Sequence, residues 1–60
     1  MPVTPPGPEA VHLGDGAYAE FDGYHIWLKA EREHGWEGVA LEPSSWQALR
    51  MYAKRFINYQ

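Results

Sequence analysis

Two aspartates, each followed by glycine, and three scattered histidines are the side chains best suited to chemistry in this 60-residue chain. Asp15 and Asp22 could act as an acid and base pair, but such pairs need environments that push their pKa values apart. Asp15-Gly16 and Asp22-Gly23 are also strong tight-turn signals, and turn geometry accounts for both carboxylates. His12, His25 and His34 are well separated, and none has a second ligand at helical i+4 spacing. Ser44 and Ser45 stand at a helix start, where serine ordinarily caps. The chain has no cysteine, which excludes thiol nucleophiles, thiolate metal sites and disulfides. It has no G-x-S-x-G, phosphate-cradling glycine loop or H-E-x-x-H pattern. The residues therefore point to a non-enzymatic protein with no cofactor and no resident metal.

Binding is the better supported chemistry, and it rests on aromatics. Tyr18 and Trp27 lie in two β-rich runs, Ala17–Phe21 and Tyr24–Ala30, on either side of Asp22-Gly23. A two-residue turn there opposes Phe21 with Tyr24, Glu20 with His25, Ala19 with Ile26, Tyr18 with Trp27 and Ala17 with Leu28. One face then holds Ala17, Ala19, Phe21, Tyr24, Ile26 and Leu28, without charge. The other holds Tyr18, Glu20, His25, Trp27 and Lys29. A longer loop at Asp22-Gly23 is expected to move Trp27 to the other layer, because side chains alternate with period two.

The remaining elements follow from local pattern. Met1 to Ala10 carries four of the five prolines and is expected to be a flexible tail beside a single domain spanning 11–60. Pro2, Pro5 and Pro8 match a weak P-x-x-P spacing. Val11 to Gly14 is either a short strand pairing back on Ala17 to Glu20 or a loop with glycines at positive φ. Glu31 to Gly35 is a charged connector. Trp36 to Glu42 alternates as a third strand, with Val39 and Leu41 on the uncharged face and Trp36 extending the aromatic stripe. Pro43 opens a C-terminal helix, since its missing N–H is unpaired there in any case. Ser44 and Gln47 fit a capping box. Trp46, Leu49, Ala53, Phe56 and Ile57 recur at helical spacing, with Ser45, Gln47, Arg50, Lys54 and Asn58 opposite. The expected architecture is α+β, a small antiparallel sheet whose uncharged face is covered by that helix.

Charge is distributed unevenly. All eight acids precede Pro43, with two bases, whereas three bases and no acid follow it. Arg50, Lys54 and Arg55 suit the negative end of a helix, or a small anion patch. Net charge is −3, which points away from general nucleic-acid binding. The outer aromatics Tyr18, Trp27 and Trp36 admit three readings. Another element, such as the tail or the connector, folds over them. A second copy covers them, giving a homo-oligomer. Or they recognise a partner, with Asp15 and His25 nearby. A small nucleotide between subunits, stacked on an aromatic and met by Arg50 or Lys54, is the alternative ligand.

Sixty residues bury only about 60% of the surface of their unfolded chain, so stability is marginal. Three Trp, four Tyr and two Phe offer a dense aromatic core, and self-association offers a second route. No apolar run approaches the roughly 20 residues that span a bilayer. With no basic and apolar leader at the start, a soluble intracellular protein is expected.

Leu13-Gly-Asp-Gly-Ala-Tyr-Ala-Glu-Phe-Asp-Gly-Tyr-His-Ile-Trp-Leu28, then Ala40-Leu-Glu-Pro43 and a short helix, resembles a group of small proteins encoded in bacteriophages and prophages. The likeness covers Leu13 to about Arg55. It implies a phage accessory protein in the bacterial cytoplasm, one that binds a host protein or defence component or sequesters a nucleotide signal. It assigns no catalytic or binding residue, and the proline-rich tail lies outside it.

Overall fold

The computed structural model describes residues 3–57; Pro2 and Asn58 fall outside them. The chain is α+β: four antiparallel strands in sequence order, followed by one helix. The strands are β1 (Val11–Gly14), β2 (Ala17–Phe21), β3 (Ile26–Arg32) and β4 (Gly35–Leu41), and α1 spans Pro43–Ile57.

Turn chemistry explains the meander. Asp15 (φ 55°) and Gly16 (φ 76°) form the two-residue reversal between β1 and β2, where Gly14 pairs with Ala17. Val11–Gly14 is therefore a strand, with a register shift between His12 and Gly14. The expected connector after β3 is mostly strand. Arg32 pairs with Gly35, so Glu33-His34 alone turns the chain, and Gly35 adopts φ 126°.

The β2–β3 reversal corrects the expected register. Phe21 pairs with Ile26, Glu20 with Trp27, Ala19 with Leu28 and Tyr18 with Lys29. Tyr18 and Trp27 are not opposite one another, and His25 lies in the loop rather than opposite Glu20. The cause is the Asp22 side chain. The His25 N–H donates to Asp22 Oδ1 at 2.6 Å and the Tyr24 N–H to the same oxygen at 2.9 Å. The Asp22 N–H donates to the His25 carbonyl at 3.1 Å. Asp22 thus stands before the reversal, which centres on Gly23-Tyr24 with Gly23 at φ 104°. Moving the centre by one residue moves each β3 partner by two. Parity is kept, so the longer loop leaves Trp27 in its expected layer.

The helix begins as expected at Pro43, but Glu42 is the residue before its first turn. The Glu42 carbonyl accepts from the Ser45 N–H at 2.9 Å and the Trp46 N–H at 3.0 Å. Proline at the first helical position makes its predecessor the cap, so Ser44 sits inside the helix and not at the capping-box position. The helix does not lie across the uncharged sheet face. It touches the sheet chiefly through β4, and none of its described residues is buried. Glu42 is the sole link between β4 and α1. The described residues accordingly hold no buried apolar side chain.

Candidate functional site

The sheet has two unlike faces. Register places Tyr18, Glu20, Trp27, Lys29, Trp36 and Gly38 on one. Tyr18 meets His12 with ring centroids 4.8 Å apart and Trp36 edge-on at 5.6 Å. Of the stripe expected of Tyr18, Trp27 and Trp36, only Tyr18 and Trp36 meet, with His12 at the Tyr18 end. Trp27 stands apart from it, and its indole N–H donates to Asp22 Oδ2 at 3.1 Å.

This aromatic face is covered by the proline-rich segment. Val3 forms an antiparallel bridge with Trp36. The Lys29 ammonium donates to Thr4 Oγ1 at 3.3 Å, and the Gly7 N–H donates to Glu20 Oε2 at 3.2 Å. Of the readings the sequence offers, the structure takes the one in which the tail folds over the sheet: from Val3 onward it is a strap across Glu20, Lys29 and Trp36, not a free tail. Its prolines suit this course. They deny helix and ladder pairing, yet an extended chain can cross a sheet with few backbone bonds. Gly38 gives it room, since a Cβ there would meet Val3 Cγ1 at 3.3 Å and the Leu28 carbonyl oxygen at 3.2 Å.

Beneath the strap lies an ion pair. Lys29 is the one buried residue among those described, at 6% exposure. Its ammonium is 2.9 Å from Glu20 Oε1 and 5.5 Å from the centroid of Trp27. A buried ammonium needs such partners, because an unpaired buried charge is costly. The hydrogen bond from Lys29, aided by the Gly7 N–H, holds the Glu20 carboxyl below the ordinary range against partial desolvation. Asp22 is lowered further, by the His25 N–H first and then by the Trp27 indole and Tyr24 N–H donors. His25 Nδ1 also lies 3.2 Å from Asp22 Oδ2.

The other candidates are scattered. Asp15 is exposed at the β1–β2 turn, at the opposite end of β2 from Asp22, so the two carboxylates do not converge. Arg50 and Lys54 are exposed on α1. No hydrogen bond, ion pair or ring contact joins either of them to Tyr18, Trp27 or Trp36 among the described residues. Nor do three His, Cys, Asp or Glu side chains there converge as metal ligands. No helix of the described residues is long and apolar enough to cross a membrane.

The opposite face carries Val11, Ala19, Leu28 and Val39 in one row and Phe21, Ile26 and Leu41 in the next. It is open: Val11, Phe21 and Val39 are 60%, 61% and 58% exposed. Sequence patterning found this face but assigned it to the core under α1. The helical stripe it assigned to cover that face is itself exposed at Leu49 and Phe56, and Tyr52 beside them is exposed too. Tyr52 and Phe56 pack edge-on at 5.1 Å along that stripe. Comparison of the chain with protein-family models, with curated proteins and with solved structures gave no match.

Proposed function

We propose that this chain is a non-enzymatic protein that acts by protein–protein association through its open sheet face. One observation carries the reading. The apolar patch around Phe21 and Val39 is uncovered, while the polar aromatic face is crossed by the chain's own strap. Contiguous exposed apolar surface on a small protein marks an association site. The proposal moves the contact surface from Tyr18, Trp27 and Trp36 to the opposite side of the sheet. The likeness to phage-encoded proteins makes a bacterial host protein or defence component the expected target, met in the bacterial cytoplasm.

The test uses immobilised full-length chain in bacterial lysate. Retention of a specific protein should be lost with Val39→Asp and kept with Asp15→Asn, circular dichroism showing the same sheet in both. A target retained equally by native chain and Val39→Asp contradicts the use of this face.

A further inference from the structure

We propose that Asp15 is a site of spontaneous backbone isomerisation to isoaspartate, and that the fold protects the other Asp-Gly dipeptide, Asp22-Gly23, from the same reaction. The inference is independent of which sheet face meets a partner.

The chemistry needs an aspartate whose successor does not shield its own amide nitrogen. Glycine, with no Cβ, shields it least, and both aspartates of the chain precede glycine. At the first dipeptide the Gly16 nitrogen attacks Asp15 Cγ. The N–Cγ bond forms, and the amide proton leaves with the carboxyl hydroxyl as water. Water then opens the resulting cyclic imide at either carbonyl. Attack at Cγ breaks the new bond and restores aspartate. Attack at the main-chain carbonyl breaks the original peptide bond, so the chain runs on through Cγ as isoaspartate. One water leaves and one enters, and nothing is oxidised or reduced.

Three observations separate the two sites. Access to water is not among them, because all four residues are exposed. First, both Asp22 oxygens are in use. Oδ1 accepts from the Tyr24 and His25 N–H groups at 2.9 and 2.6 Å, and Oδ2 accepts from the Trp27 indole at 3.1 Å with His25 Nδ1 3.2 Å away. Imide formation expels one carboxyl oxygen, so one set of donors loses its acceptor. Second, those donors, the His25 N–H foremost, hold the Asp22 carboxyl ionised well below its ordinary range. An ionised carboxylate carries no proton to leave with its oxygen.

Third, Asp15 has no such restraint. Its carboxylate makes no hydrogen bond or ion pair among the described residues, and the Gly16 N–H makes no hydrogen bond among them. Turn geometry alone holds the pair, at φ 55° and 76°. Isoaspartate adds one main-chain atom inside this two-residue reversal, which changes the turn that closes the Gly14–Ala17 pair. β1 pairs with β2 alone, so the change loosens one edge of the sheet and its His12–Tyr18 contact.

Incubation of the full chain in heavy-oxygen water at neutral pH, followed by proteolysis and fragment mass spectrometry, tests the proposal. Each passage through the imide installs one heavy oxygen at the aspartate concerned. Label should accumulate several-fold faster at Asp15 than at Asp22, with isoaspartate at position 15. In denaturing guanidinium chloride the two rates should draw together, because the protecting donors are gone. Trp27→Phe removes the Oδ2 donor and should raise label at Asp22 while leaving Asp15 unchanged. Asp15→Glu should abolish label at position 15, since the larger ring closes far more slowly. Equal labelling of the two aspartates in the native chain, or faster labelling at Asp22, overturns the proposal. So does an excess at Asp15 that persists undiminished in denaturant, because flanking sequence and not the fold then sets it.

Discussion

Lys29 and Glu20 sit 2.9 Å apart on adjacent strands, beneath a segment that reaches them from more than ten residues upstream. Thr4 and Gly7 of that segment bond to this pair, one residue to each partner. The ion pair is thus both the polar centre of the sheet's closed side and the clasp of the strap. Lys29→Met should lower the thermal midpoint, because it strands the Glu20 carboxylate without its counterion. The double variant Lys29→Met with Glu20→Gln should melt higher than Lys29→Met alone, since the neutral amide can still accept from Gly7 and no charge is left unpaired. A double-mutant cycle of thermal melts checks this, and additive losses would show that the two side chains are uncoupled.

Asp22 predicts an acid dependence. Its folded carboxyl is held well below its unfolded value by the His25, Trp27 and Tyr24 donors. A depressed folded pKa adds stability above the unfolded value of about 4, and that stability is lost as pH falls below it. Glu20, also lowered, acts in the same direction. Asp22→Asn places an NH₂ where Oδ2 accepts from Trp27, so it should be less stable at neutral pH. The gap between native and Asp22→Asn melting points should narrow below about pH 4. A constant gap from pH 7 to pH 2 would contradict this role for the carboxylate.

At Gly38 the Val3 side chain of the strap lies against β4. A β-branched side chain there would push Val3 from its bridge with Trp36. Gly38→Val should therefore speed proteolytic cutting within residues 3–10 several-fold while the far-ultraviolet sheet signal is kept. Unchanged cutting would show that the strap is not held against β4.

Gly35 tests the turn rather than the packing. A Cβ there meets nothing within 4 Å, but its φ of 126° excludes ordinary side chains. Gly35→Ala should cost about 1–3 kcal/mol through backbone strain alone. In urea the midpoint should fall with the slope unchanged.

These residues also show what was legible in the sequence. Asp15-Gly16 gave its reversal because the two residues supply positive φ themselves. Asp22-Gly23 misled by one position, because the aspartate used its carboxylate to hold the next N–H groups instead of entering the turn. The alternation of Ala17–Phe21 and Ile26–Ala30 nonetheless survived, since an even shift keeps each side chain in its layer. The strap was one of three readings for the aromatic face, because composition marks proline-rich segments as unpaired without saying where they lie. Its traces were Lys29 between Leu28 and Ala30, and Gly38 in the middle of a strand. Helical periodicity located α1 and its stripe but could not say that Leu49 and Phe56 stay exposed, because periodicity does not fix how a helix sits on its sheet.

Which side of the sheet is closed decides the account most directly. Nuclear Overhauser contacts in isotope-labelled full-length chain can read it. With the strap over Lys29, contacts are expected from the Val3 methyls to Gly38 and the Trp36 ring, and from Thr4 to Lys29. Contacts from residues 3–7 to Val39 and Val11, or none to Trp36, Lys29 and Gly38, would contradict it.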